Sequence, residues 1–178
     1  MNTENLVFLD ETGVNTRMMR SHARAPRGKR ATDHQPKARG PNYTVIGALS
    51  KTGIIASHLL DGSMRTPEFL RYLKDELFPK LKQGSVVVMD NLSIHHCDQA
   101  EALAKEFGIT LTFVPPYSPA FNPIEEAWSK LKAFLRKTRA RLLGALVDAV
   151  KTGLRSITSS DAEGWIRHAG YLLPDGSA

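Results

Sequence analysis

The chain has 178 residues, of which 42% are hydrophobic and 24% charged, and a formal net charge of +6. That length suits one domain with a proper core and is short for two, and no apolar run approaches the ~20 residues that cross a bilayer. A single cysteine, Cys97, excludes an internal disulfide and a cysteine-rich zinc site. The start, Met1 to Asn5, lacks the basic and apolar stretches of a secretory signal, so the expected compartment is the cytoplasm.

The first apolar run, Leu6-Val7-Phe8-Leu9, is continuous, as in a strand buried on both faces, and it ends in Asp10. A basic arm follows. Between Arg17 and Pro41 stand Arg17, Arg20, Arg24, Arg27, Lys29, Arg30, Lys37 and Arg39, opposed only by Asp33. The arm therefore carries +7 and leaves about −1 for the rest of the chain. Such a concentration suits a polyanion, because each phosphate neutralised releases condensed counterions; a solvated loop is the plainer alternative. Pro26-Arg27-Gly28 and Gly40-Pro41 mark turns within it.

Tyr43 to Leu49 and Ile54 to Leu60 are predicted as two strands of a hairpin, joined by Ser50-Lys51-Thr52-Gly53. Thr66 is placed to cap a helix with Pro67 at its first position and Phe69, Leu70, Leu73 and Leu77 at helical spacing. Val86 to Met89 is a second buried-type strand, and it too ends in an aspartate, Asp90. A helix from about Asp98 to Phe107 leads through Gly108 to a strand over Ile109 to Val114. Pro115-Pro116-Tyr117-Ser118-Pro119 continues neither element. Asn122 is expected to cap a helix reaching about Arg136, a further amphipathic helix spans roughly Leu142 to Ile157, and the stretch from Ser159 holds one more short helix. The order describes a mixed α/β fold.

Two aspartates at the carboxyl ends of buried strands form a pattern with chemical meaning. If the strands are parallel neighbours, Asp10 and Asp90 emerge side by side in the crevice where α/β sheets bind ligands. Two close carboxylates repel, and a divalent cation relieves that repulsion. A third acid lies in Asn122-Pro123-Ile124-Glu125-Glu126. On a helical wheel Trp128, Leu131 and Leu135 fall near Ile124, Glu125 lies at the edge of that apolar stripe, and Glu126 points to solvent. Glu125 is thus the candidate to lean over the site, with a capping box with Asn122 as its structural alternative.

These residues resemble the bacterial insertion-sequence branch of the mariner transposase superfamily. The matching pieces are Phe8 to Gly13, Ala25-Pro26-Arg27-Gly28, Met89-Asp90-Asn91 with His95, and Pro115 to Pro119 leading into Asn122-Pro123-Ile124-Glu125; thirty-four residues separate Asp90 from Glu125, as in the family. The resemblance runs from about Leu6 to Trp165. It implies a ribonuclease-H-like fold, a mixed sheet of hairpin and parallel strands flanked by helices, over residues 1–170, with 171–178 as a tail. It implies DDE chemistry by Asp10, Asp90 and Glu125 on two magnesium ions, with manganese able to substitute. Water attack at transposon ends would be followed by strand transfer into target DNA, at a TA dinucleotide, in a dimer assembled on DNA. Family members carry helix-turn-helix domains ahead of the catalytic one. Here Asp10 is close to Met1, so those domains are expected to be missing or supplied by another reading frame. An inactive or domesticated DNA-binding module, and a same-fold nuclease that cuts without joining, are the competing functions.

Around this core, Asn91, His95 and Asn122 are expected to support the site, and Arg17, Arg20, Arg24, Arg27, Lys29, Arg30 and Lys132 to touch DNA. Asp90, His95 and His96 could be imagined as a zinc site, but adjacent histidines seldom converge on one metal. Arg24 stands where the family has an aromatic residue. Trp128 falls on the apolar stripe and is expected in the core. Glu11, as a strand neighbour of Asp10, points to the opposite face. Arg136, Lys137, Arg139 and Arg141 suit either a helix C-terminus or DNA.

Overall fold

A computed structural model describes residues 5–20, 22–32, 40–92, 97–115 and 121–172. Five strands form one sheet: β1 (Leu6–Asn15), β2 (Asn42–Ser50), β3 (Gly53–Asp61), β4 (Val86–Met89) and β5 (Thr110–Phe113), in the order β3-β2-β1-β4-β5. β1, β2 and β3 are antiparallel to one another, whereas β4 runs parallel to β1 and β5 parallel to β4. This is the mixed sheet, hairpin plus parallel strands, that the sequence predicts.

The alternation along β1 divides the core. Leu6 and Phe8 join one apolar cluster, while Val7 and Leu9 join the other. The first cluster is closed by α3 (Ile124–Thr138), α4 (Leu143–Arg155) and α5 (Ser159–His168). The second is closed by a helical segment that begins as α1 (Thr66–Arg71) and widens into π-type turns to Leu77, and by α2 (Asp98–Glu106). Helices thus cover both faces of the sheet, which is why β1 and β4 are apolar on both sides.

Four local expectations need correction. β1 does not end at Asp10 but continues to Asn15. The parallel partner β4 pairs only with Leu6 to Phe8, but the antiparallel partner β2 pairs from Phe8 through Asn15 and keeps the backbone extended. Thr66 is the first helical residue rather than the cap; Arg65 takes the cap position without a side-chain bond. Asn122 does not cap α3, whose assigned cap is Pro123, and no side chain caps it. Tyr171 is not tail: its ring meets Phe8 edge-on at 4.9 Å and its hydroxyl donates to the Phe121 carbonyl at 2.9 Å.

The last helix carries a feature the sequence reading did not single out. Thr158 and Asp161 form a reciprocal capping box at its start, and Lys130 of α3 reaches Asp161 at 2.5 Å. The box anchors α5 to α3, next to the site described below.

Candidate active site

Asp10 lies in the middle of β1, paired directly with Gly47 of β2. By strand alternation its side chain follows Phe8 onto the face covered by α3, and Glu11 follows Leu9 to the other. Glu11 does act on the opposite side, where its charge helps to push the Tyr72 hydroxyl upward. Asp10 is 7% exposed. Its Oδ2 accepts a 2.9 Å hydrogen bond from the indole Nε1 of Trp128. Trp128 is therefore core, as expected, and also a partner of the first acid.

Asp90 reaches the same face by a parallel route. The β1–β4 register pairs Phe8 with Val88 as its last pair, and Asp90 follows directly after the end of β4, the strand next to the one that carries Asp10. Val88 belongs to the cluster under α3, so alternation directs Asp90 there as well. Asp90 is half-buried, and its Oδ1 accepts from the Leu92 backbone N–H at 3.3 Å. This short Asx-type turn holds the carboxylate at the strand end.

Glu125 comes from the first turn of α3. Its burial pattern matches the wheel: Ile124, Ala127, Trp128, Leu131 and Leu135 are buried, and Glu125 and Glu126 are exposed. Glu125 and Glu126 both border an open cleft of about 480 Å³, which is also lined by Asn122, Trp165 and His168. Burial, followed by the nearby charge of Glu125, raises the Asp10 carboxyl from 3.8 to about 7. The expected capping box does not form. Asn122 instead turns its amide inward and donates Nδ2 to the Leu9 carbonyl at 3.4 Å, tying the start of α3 to β1 one residue before Asp10. Its Oδ1 is buried without a partner among the described residues.

Among the described residues no three Asp, Glu, His or Cys side chains close into a metal-binding cluster. The donor set nonetheless suits a hard divalent cation. It consists of carboxylates alone, and one is stripped of water and raised by a second carboxylate. A cation is what offsets both penalties at once.

The supporting and DNA-contact residues divide. Asn91 is exposed beside Asp90, and Lys132 is half-buried on α3. Arg20, Arg24, Arg27, Lys29 and Arg30 are exposed, with a turn closed by Lys29 N–H to the Pro26 carbonyl at 2.9 Å. Arg17 is different: it is half-buried and lines a second cleft together with Arg136. His95, His96, Lys37, Arg39, Asp33, Tyr117 and Ser118 lie outside the described residues. Arg141, open to two readings in sequence, donates Nη1 to the Thr16 carbonyl at 2.8 Å and the Met18 carbonyl at 3.4 Å. Gly47 was not singled out from sequence. The only signal there was a glycine inside a strand pattern, which marks a close approach by another group.

Comparison with known proteins bears on the family and the fold. The family model described as DDE superfamily endonuclease matches residues 5–146. The fold is similar to that of Mos1 transposase in its paired-end complex with the left transposon end, at 16% identity and a TM-score of 0.75, over 94% of this chain and 52% of that one. It is also similar to the catalytic domain of Mos1 mariner transposase, at 12% identity and a TM-score of 0.68, over 94% of this chain and 76% of that one. The same catalytic domain with raltegravir and Mn gives 12% identity and a TM-score of 0.72, covering 94% and 78%. The fold is thus ribonuclease-H-like, as the resemblance implied, and the chain spans 52% of the length of the Mos1 transposase in that paired-end complex.

Proposed function

This chain belongs to the DDE superfamily endonucleases, and from that premise we propose that it is the catalytic part of a cut-and-paste DNA transposase. Asp10, Asp90 and Glu125 are its acid triad. The observation that carries the reading is the buried Asp10 carboxylate, bonded to Trp128 and raised by burial and then by Glu125, on a strand whose parallel neighbour ends just before Asp90.

The chain's own residues divide the work. Trp128 fixes one oxygen of Asp10, so the carboxylate meets the site in one orientation. The Leu92 backbone N–H does the same for Asp90. Asn122 ties the start of α3 to β1, which keeps Glu125 within reach of Asp10. The three acids would hold divalent magnesium or manganese, which when bound supplies Lewis acidity and lowers the pKa of coordinated water. Mos1 structures have been described with both Mg and Mn, which supports this choice of ion.

The proposed reaction is hydrolysis of a phosphodiester at a transposon end, followed by attack of the freed 3′-hydroxyl on target DNA. Asn91 and His95 are proposed as supporting groups beside Asp90. Arg17, Arg20, Arg24, Arg27, Lys29, Arg30 and Lys132 are proposed to meet DNA phosphates, and the working assembly is proposed as a dimer on DNA. The existence of paired-end and strand-transfer complexes for Mos1 supports that arrangement.

The test is metal-dependent nicking and 3′-end joining on labelled DNA by the purified chain, with Asp90→Asn alongside. Cleavage and joining that need Mg²⁺ or Mn²⁺ and vanish in Asp90→Asn are expected. Cleavage without joining would move the reading to a nuclease. Cleavage undiminished in Asp90→Asn would remove the proposed site.

A further inference from the structure

A second cleft, of about 520 Å³, opens where the far end of β1 meets the last turns of α3, and Asn15, Arg17, Asn42 and Arg136 line it. Among the described residues no carboxylate lines it, so two arginines border one concavity without a counter-charge among its described walls. Arg17 enters from the strand side with its backbone N–H fixed on Asn15 Oδ1 at 2.9 Å. Its Nε–H is already shut off from water and has no acceptor among the described residues. Desolvating a charged donor without a partner is costly, and an anion at the same guanidinium offsets that cost. Asn42 accepts from Asn15 through its side-chain oxygen, and its amide nitrogen is left to donate elsewhere. Arg141 ties down the backbone on either side of Arg17 through the Thr16 and Met18 carbonyls. The donors present, two planar forks and an amide, match the oxygens of a phosphodiester.

The position of the cleft follows from two independent rulers. Along β1, Asn15 is five residues beyond Asp10, about 17 Å at strand rise. Along α3, Arg136 is eleven residues beyond Glu125, about 16 Å at helical rise. Strand and helix carry the cleft the same distance from the two acids. At 3.4 Å per nucleotide that distance is about five nucleotides of one DNA strand.

We infer that Arg17 and Arg136 form a phosphate clamp that grips the DNA backbone about five nucleotides from the phosphodiester cut at Asp10 and Glu125. This rests on the DNA-cutting reading above and assigns part of its substrate to residues outside the acid site. The clamp reads no sequence; it sets the register of the strand over the acids.

Binding of a fluorescent DNA duplex across a salt series, in EDTA, tests it with wild type and with Arg17→Gln/Arg136→Gln. Loss of one phosphate contact should weaken binding roughly threefold to tenfold and make the slope of log affinity against log salt shallower by about 1. Arg136→Gln alone, which leaves the half-buried Arg17 in place, should show part of the same change. Its melting temperature should stay at the wild-type value, which separates lost contact from lost fold. Neutral methylphosphonates placed four to six nucleotides from the mapped cut should weaken wild type and leave the double variant indifferent. Variants that match wild type in affinity and slope overturn the clamp, as does a preference for inorganic phosphate over duplex. Metal-dependent nicking of plasmid by wild type, measured in parallel, decides whether the DNA-cutting reading falls with it or stands alone.

Discussion

A Cβ placed on Gly47 would lie 2.6 Å from Cη2 of Trp128. Gly47 is the residue paired with Asp10 across the β1–β2 ladder. The missing side chain is what lets the indole lie down against β2 and send its N–H to the carboxylate beside it. Gly47→Ala should therefore expel the ring, at about 1–3 kcal/mol of overpacking cost, and misplace Asp10. The expected outcome is loss of metal-dependent cleavage far greater than the loss of stability implies, with near-ultraviolet circular dichroism reporting the displaced tryptophan. An active variant with an unmoved tryptophan signal would contradict the link.

Trp128→Phe separates ring volume from the hydrogen bond. A phenyl ring keeps much of the packing at both pH values, but the Asp10 carboxylate loses a donor that lowers its pKa. Removing a hydrogen bond to a charged group costs about 1.5–3 kcal/mol. The cost should appear at pH 8, where Asp10 is ionised, and shrink at pH 5, where it carries a proton. Denaturant melts at the two pH values check this, and an equal loss at both would show that packing alone had been damaged.

Asp10→Asn should stabilise the metal-free protein. Burial and Glu125 hold the Asp10 carboxyl at about 7, above its unfolded value, so the folded state binds the proton more tightly. The wild type is then most stable below pH 4 as regards this group and loses stability as pH rises from about 4 to 7. Full linkage would be about 4 kcal/mol, and relaxation of the site reduces the expected gain for Asn at pH 8 to about 1–3 kcal/mol. Magnesium should reverse the ranking, because only the wild type gains from the ion. Thermal melts with EDTA and with Mg²⁺ measure both halves. A less stable Asp10→Asn in EDTA at pH 8 would argue against a repulsive acid site.

The anchor of α5 has the opposite sign. Lys130, then the Thr158 backbone and hydroxyl, hold the Asp161 carboxyl at about 2. Its contribution is present above the unfolded value near 3.8 and is lost as pH falls from there through 2. The pair is partly exposed, so screening keeps its weight small. Asp161→Asn should cost roughly 0.5–1 kcal/mol at pH 7, about what a lost cap costs, and only a small part of that at pH 2. A penalty undiminished at pH 2 would assign the effect to something other than the ionised carboxylate.

The candidate acids stand out along the chain because each belongs to a local pattern. Apolar runs closing in Asp10 and Asp90 mark strand ends or middles whatever the fold does with them. The wheel around Ile124 separates Glu125 from Glu126, because a buried stripe constrains the angle of every neighbour on the helix. The basic arm is a matter of counting.

What could not be read depends on contacts between distant segments. Periodicity along β1 does not reveal that β2 pairs with it beyond Asp10, so the strand looked four residues long and runs to Asn15. Asn122 carries the signature of a cap, and the Leu9 carbonyl, 113 residues away, takes its side chain instead. Arg136 and Arg141 read alike in sequence; the path of the chain after β1 gives one a cleft and the other two carbonyls.

The sequence by itself determined which residues carry charge and which faces are apolar, and hence the mixed sheet and the three candidate acids, because these follow from residue type and spacing. Only the tertiary structure decided that Asp10 is buried beneath an indole seated on a glycine. A carboxylate's solvation and partners are set by what packs over it, and here Trp128 comes from 118 residues further along the chain.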